Sequence, residues 1–138
     1  MMLQKLPEFL KENSAKLLIK YDGERNFNRY TIRLLYNDVR HNSLGNDTDL
    51  PCVILGEIFA RYNLFEEEEI LSFFINSINI GIDFLKNKFG NESVISVILT
   101  EKDSEIMYTV HIQTTKGTRY LSDTNYTQLY EELALGEG

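Results

Sequence analysis

The chain has 138 residues, of which 43% are hydrophobic and 25% charged, with a formal net charge of −7 and the single cysteine Cys52. This length is enough for one domain to bury a core without disulfides or metals, and a lone cysteine excludes an internal disulfide, as is usual in a reducing compartment. No apolar run approaches the ~18 residues of a membrane helix, and charges interrupt any signal-peptide core near the N-terminus. We therefore expect one cytoplasmic domain over residues 1–138.

The first part of the chain predicts a short helix and a β-hairpin. Leu6–Glu12 suits a helix whose proline lies in the first turn. Ala15–Tyr21 and Asn28–Tyr36 then alternate apolar and polar side chains with the period of two that is typical of strands. An Asp-Gly pair at Asp22 favours the turn of a hairpin between them.

The middle of the chain predicts a loop and two helices. Asn37–Asp49 is rich in Asn, Asp, Ser and Gly, which indicates a long polar loop. Pro51–Tyr62 is typical of a helix that opens on proline, although Val53–Leu55 alone is also compatible with a strand. Asn63 and Glu66 have capping-box spacing for a longer helix that ends before a glycine. The apolar stripe of that helix is Ile70, Leu71, Phe74, Ile78, Ile82, Leu85 and Phe89.

Three strands and a closing helix follow. Ser93–Glu101 is a nearly continuous apolar run, which predicts a central strand buried on both faces. Ile106–Thr115 alternates, and Thr118–Leu121 is a short strand after a Lys-Gly turn. Asn125 and Gln128 have capping-box spacing for the last helix. The order αββααβββα predicts an α+β fold, an antiparallel sheet of about five strands with helices packed mainly on one face.

No motif in the sequence carries recognisable catalytic or cofactor chemistry. Glycine-rich nucleotide loops and the metalloprotease and serine-hydrolase motifs are absent from it. His41, His111 and Cys52 are its only imidazole and thiol side chains, too few for a dedicated zinc site. Cys52 follows Pro51 at a predicted helix start, but a lone cysteine before Val-Ile-Leu is more typical of a small core residue. We expect no enzyme, no cofactor and no metal.

Charge is distributed unevenly along the chain. Residues 1–40 have eight basic and five acidic side chains, a net charge of +3, whereas residues 41–138 have six basic and sixteen acidic ones, a net charge of −10. Nucleic acids and anionic membranes are bound by Lys and Arg, so this acidity argues against both as partners. It favours a basic protein partner, and solubility alone would also favour it.

We expect the partner to bind acidic side chains of the polar loop, the start of the long helix and the second hairpin turn, because such positions present charges without burying them. The run Glu66–Glu69 also suits the positive end of a helix dipole. Its consecutive positions point in different directions, which disfavours a shared metal ion. The predicted partner-binding residues are Asp47, Asp49, Glu66, Glu67, Glu68, Glu69, Glu101, Asp103 and Glu105.

These observations predict a non-catalytic protein that neutralises a basic partner. Bacterial toxin-immunity proteins, which block a cognate toxin nuclease, have this profile of size and charge, a likeness that involves no sequence motif. Two other classes stay open: an adaptor that binds through a sheet edge or helix groove, and a small-ligand-binding domain with a pocket between sheet and helices. The eight tyrosines fit core and interface roles alike.

Overall fold

The chain folds as an α+β structure around one antiparallel sheet, seen in a computed structural model that describes residues 5–38, 41–64 and 68–135. The predicted α+β class is confirmed. Within the described residues the helices are α1 (Lys5–Glu12), α2 (Pro51–Arg61), α3 (Glu68–Phe89) and α4 (Tyr126–Leu135). The strands are β1 (Ala15–Asp22), β2 (Tyr30–Asp38), β3 (His41–Thr48), β4 (Val94–Lys102), β5 (Glu105–Thr114) and β6 (Gly117–Asp123), in the sheet order β3-β2-β1-β4-β5-β6.

The core forms on one face of the sheet, where the alternating apolar residues of four strands align. Ile19 of β1 pairs with Ile32 of β2 and with Val97 of β4, and Val97 pairs with Val110 of β5. All four side chains are fully buried and belong to the same core cluster as the buried residues of the helices. The predicted first hairpin and the alternation of β5 are therefore confirmed.

Strand β4 is central, as predicted, but it is not buried on both faces. Val97 and Leu99 are fully buried toward the helices, whereas Ser96 and Ile98 are partly exposed on the other face. The prediction was wrong because the helices cover only one face of the sheet. The opposite face, which we call the open face, carries the exposed Lys16 and the partly exposed Lys20.

The predicted polar loop over Asn37–Asp49 is also wrong, because β3 lies there as an edge strand of the sheet. It pairs with β2 from Tyr30 opposite Thr48 to Leu35 opposite Ser43. Backbone hydrogen bonds hold such a strand even when few of its residues are apolar, and edge strands are often short and polar. The sheet consequently has six strands instead of five.

Asn63, predicted to cap α3, instead ends α2. Its φ of 52° is left-handed, which Asn tolerates better than most residues. The amide of Asn63 donates to the carbonyl of Ala60, and that of Leu64 donates to the carbonyl of Phe59. This pair of bonds is a Schellman motif at a helix C-terminus. Glu66, the other half of the predicted capping box, lies outside the described residues.

Two other helix starts agree with the sequence more closely. Pro51 lies in the first turn of α2, so Val53–Leu55 is helical and the strand alternative is wrong. Asn125 precedes α4, and its side-chain oxygen accepts a hydrogen bond from the amide of Gln128. In the predicted capping box the side chain of Gln128 would accept a hydrogen bond from the amide of Asn125. That amide donates instead to the carboxylate of Asp123.

Helix α3 carries most of the predicted buried stripe. Phe74, Ile78, Ile82 and Leu85 are buried and Phe89 is half-buried. The side chains of the two earlier members, at positions 70 and 71, are outside the described part of the chain. Of the helices described, α3 included, none is long and apolar enough to cross a membrane.

Adjacent phenylalanines on α3 test which of its faces is buried. Phe74 is 7% exposed and packs on the ring of Phe59 with centroids 5.5 Å apart, whereas Phe73 is 61% exposed. Phe74→Ala should lower the free energy of unfolding by about 3–5 kcal/mol, and Phe73→Ala should change it by about 0.5 kcal/mol or less. Urea unfolding followed by circular dichroism measures both, and equal losses would show that the burial of α3 is misassigned.

Candidate functional site

The predicted carboxylates of the first group, Asp47 and Asp49, lie at the end of edge strand β3. The Asp47 carboxylate accepts a hydrogen bond from the Thr31 hydroxyl at 2.7 Å and lies 3.6 Å from the Arg25 guanidinium. Asp49 accepts one from the amide of Arg29 at 3.0 Å. The hydroxyl bond lowers the pKa of Asp47, and backbone amide bonds lower the pKa of Asp49. Both carboxylates attach β3 to its neighbours and remain exposed.

The second group surrounds the tight turn between β4 and β5. Asp103 and Ser104 have left-handed φ values of 52° and 67°, as in a two-residue type I′ hairpin turn. The carboxylate of Glu101 accepts a hydrogen bond from the amide of Ser104 at 2.8 Å. Glu105 is opposite Lys102 in the register. The Glu101 carboxylate therefore has a local role in the turn, whether or not a partner binds it.

The structure does not bring these two groups together. Asp47 lies in the same transverse row of the sheet as Ser96 of β4, three strands away, and Glu101 is five residues further along β4. With strands about 4.8 Å apart and about 3.3 Å per residue, the two groups are separated by about 20 Å. Screening at physiological salt acts over about 8 Å, so they do not act as one charged site.

The third predicted group stands at the start of α3. Glu66 and Glu67 lie outside the described residues. Glu68 and Glu69 form the first two positions of α3, and their side chains are likewise outside the described part of the chain. Glu68 and Glu69 are five and four residues before Phe73, where an exposed apolar stripe begins.

That stripe forms one wall of an apolar groove of about 600 Å³ between α3 and α4, which the sequence analysis missed. Phe73, Ile80 and Phe84 of α3 are 61%, 66% and 39% exposed. With Ser77 they recur at intervals of four, three and four residues, which is helical spacing. The helical spacing of these residues was therefore present in the sequence. The neighbouring buried stripe of the same helix accounted equally well for apolar residues at this spacing.

The opposite wall and the floor of the groove are tyrosines. Tyr126 and Tyr130 of α4 hold their hydroxyl oxygens 2.6 Å apart, and the Tyr126 hydroxyl lies 3.4 Å from the Ile78 carbonyl of α3. Tyr108 of β5 packs against Tyr126 with ring centroids 4.9 Å apart. The rings of Phe84 and Tyr130 are nearly perpendicular, with centroids 6.3 Å apart. The groove therefore reaches down to the sheet and is aromatic along its depth.

Burial keeps these tyrosine hydroxyls neutral. It raises the pKa of Tyr108 to about 12 and also raises the pKa of Tyr126 and of Tyr130. At neutral pH the groove offers dipoles and aromatic rings to a ligand. The only charge among its described lining residues is the carboxylate of Glu131.

Gly81 sets how closely α4 approaches α3. A Cβ at this position would overlap the hydroxyl of Tyr126 and the ring carbon and hydroxyl of Tyr130. A side chain at position 81 would therefore force these tyrosine rings to move, because they lie directly over the α3 backbone. The width of the groove depends on that contact.

The described residues offer little else for chemistry. No group of three or more His, Cys, Asp or Glu among them lies where it could hold a metal ion. Burial, and secondarily the charge of Asp83, raises the pKa of the Cys52 thiol, so a thiolate is disfavoured. His111 is opposite Ser96 and Tyr120 on the open face.

No protein-family model, no curated protein and no solved structure matches the chain.

Substitution of Gly81 tests the close approach of α3 and α4. Gly→Ala in a helix usually stabilises a protein by about 0.5–1 kcal/mol, but Gly81→Ala should destabilise this one by about 1–3 kcal/mol because of the overlap with two tyrosines. Gly56→Ala on α2 is the matched control, since the nearest atom to its new Cβ is 3.9 Å away, and should give the usual gain. Urea unfolding compares the two. A gain at both positions would mean that the tyrosines move aside freely.

The raised pKa of Tyr108, about 12 in the folded state against 10.0 ordinarily, makes stability depend on alkaline pH. The folded protein keeps the phenolic proton that the unfolded chain loses, so the stabilisation is complete below pH 10 and is lost as pH rises to 12. Tyr108 alone should contribute a fall of about 1.4 kcal/mol per pH unit in that window. Tyr108→Phe should reduce the fall, measured by urea unfolding at about pH 9 and about pH 11, whereas Tyr120→Phe, at a ring 72% exposed, should leave it unchanged.

Proposed function

We propose that this protein is a non-catalytic binding protein that neutralises a basic protein partner through an acidic surface. The observation that carries the proposal is the exposed apolar groove between α3 and α4, whose described lining includes the carboxylate of Glu131 and no cationic side chain. Monomeric domains rarely leave three large apolar side chains of one stripe in water without a binding role. The carboxylate of Glu131 at the groove favours a partner of opposite charge.

The distribution of charge supports the same partner. Residues 41–138 have a net charge of −10, and no Lys or Arg follows Arg119. Helix α4 contributes Glu131 and Glu132, both exposed. A basic protein approaching this side of the molecule meets an attractive field before contact, which raises the association rate.

The predicted partner-binding carboxylates fit this proposal as steering charges. Asp47 and Asp49 are exposed, and hydrogen bonds lower the pKa of both carboxyl groups. Asp103 and Glu105 are exposed at the turn between β4 and β5. Because the two groups are about 20 Å apart, each adds separately to the long-range field.

Among biological classes, a bacterial toxin-immunity protein that inhibits a nuclease fits these properties best. Such an inhibitor presents to its toxin the negative charge that nucleic acid would present, and rapid association is its main requirement. Supporting features are the small size, the acidity and a sequence without catalytic motifs.

A second candidate function is the binding of a small apolar ligand. The groove volume of about 600 Å³ lies within the 300–1,000 Å³ common for small-molecule sites. The paired hydroxyls of Tyr126 and Tyr130 provide a polar point within apolar walls. This candidate predicts saturable binding of a neutral aromatic compound that does not depend on salt.

The basic-partner proposal is tested by association kinetics with the partner purified from cells that contain the chain. The association rate should fall at least tenfold between about 10 mM and about 150 mM ionic strength, as the screening length falls from about 30 Å to about 8 Å. Three double reversals to lysine, at Glu67 and Glu68, at Asp103 and Glu105, and at Glu131 and Glu132, should identify the side that faces the partner.

Reversal of Glu8 and Glu12 on α1 is the matched control, because it changes the net charge equally at exposed positions outside the predicted surface. It should slow association less than the most effective of the three reversals. Association that is indifferent to salt and to all three reversals would contradict the acidic-surface proposal.

A further inference from the structure

We propose that the groove between α3 and α4 docks a cationic amphipathic helix of the partner. This inference rests on the proposed function and specifies the partner's contact element. The length and spacing of the exposed stripe indicate a helix. The carboxylates of Glu131 and Glu132 at the groove indicate that this helix is positively charged.

The shape of the groove suits a helix of about three turns. Phe73 and Phe84 stand eleven residues apart on α3, which is about 16 Å at 1.5 Å per residue. The 4-3-4 spacing of Phe73, Ser77, Ile80 and Phe84 is that of the contact seam of a coiled coil. A partner helix with apolar residues at the same intervals would place them between this stripe and the tyrosines of α4.

The walls provide the anchoring contacts that such a helix needs. Phe73 and Ile80, 61% and 66% exposed, have most of their side-chain surface available for burial. Aromatic side chains are enriched among residues that dominate binding energy. The hydroxyl of Ser77 donates to the carbonyl of Phe73 on its own helix. Ser77, in the middle of the stripe, therefore needs no hydrogen-bond acceptor from the partner.

Charge argues for a cationic occupant and against a second copy of the chain. Glu131 lines the groove and Glu132 lies exposed beside it. Of the two lysines in the last turn of α3, Lys86 is directed inward, 4.5 Å from the Tyr21 ring centroid and 3.3 Å from the Tyr30 hydroxyl, and Lys88 lies over the Phe89 ring, 5.8 Å from its centroid. A second copy also carries a net charge of −7, and its acidic rim would meet the first, which is unfavourable.

The probe for this inference is a synthetic peptide of about 14 residues, two heptads with leucine at the seam positions and lysine elsewhere. A scrambled peptide of the same composition lacks the stripe, and a second version replaces lysine by glutamate. Isothermal titration calorimetry with the full chain should show that the lysine helix binds at least tenfold more tightly than either comparison peptide.

Protein variants then locate the binding. The double variant Phe73→Ser and Ile80→Ser removes the wall of the groove at exposed positions, so folding should be unaffected, and should weaken peptide binding at least tenfold. The matched control is Phe27→Ser with Tyr120→Ser, because both side chains are 72% exposed, one before β2 and one on the open face. It should change the affinity by less than twofold.

The outcomes separate this inference from the function on which it rests. Equal weakening by both double variants, or equal affinity for the scrambled lysine peptide, overturns the groove inference while the acidic-surface function stands. If the glutamate peptide binds as tightly as the lysine peptide, the basic-partner function fails as well. A dimer in sedimentation velocity that Phe73→Ser and Ile80→Ser dissolve would assign the groove to a second copy and also overturn the inference.

Discussion

The burial of one face of the sheet is the constraint on which the rest of this structure depends. The fully buried row of Ile32, Ile19, Val97 and Val110 holds four strands in register against the helices. Since strand side chains alternate, that burial sends Lys16 and Lys20 to the open face. The groove between α3 and α4, whose lining includes the carboxylate of Glu131, lies on the helix side of the sheet. Strand alternation therefore places these two lysines and the groove on opposite faces.

The groove arises because α3 has more apolar surface than the sheet and α4 can cover. One stripe, which includes Ile78 and Leu85, completes the core, and a second, which includes Phe73 and Ile80, points past α4 into solvent. Gly81 lies between the two stripes and lets the tyrosines of α4 cross close to the helix. A larger residue there would push α4 away and widen the gap. The groove is therefore defined by the same contact that closes the core on this side.

Sequence patterns predicted the fold wherever side chains decide the structure, and failed wherever the backbone or a distant contact does. The alternation of β1 and β5 and the buried stripe of α3 were predictable because burial imposes their periods. Strand β3 was not, since an edge strand of Asn, Ser and Asp is held by backbone hydrogen bonds to β2. Asparagine is common at both ends of helices, and only the φ of 52° at Asn63 shows that this residue ends α2. The groove could not be predicted, because the sequence does not show which apolar residues of α3 are left uncovered by α4.

Acidity and the groove carry different weight as signs of function. Solubility alone favours a net charge far from zero, and several of the carboxylates have local roles, such as Asp47 with Thr31 and Glu101 with Ser104. Solubility gives no reason to expose Phe73 and Ile80 on the same helix, because an exposed apolar stripe favours aggregation. Repulsion between acidic molecules opposes that self-association, and a cationic partner would experience no such repulsion. The charge thus makes the exposed stripe tolerable in a free monomer, and the stripe is the feature that binding explains and solubility does not.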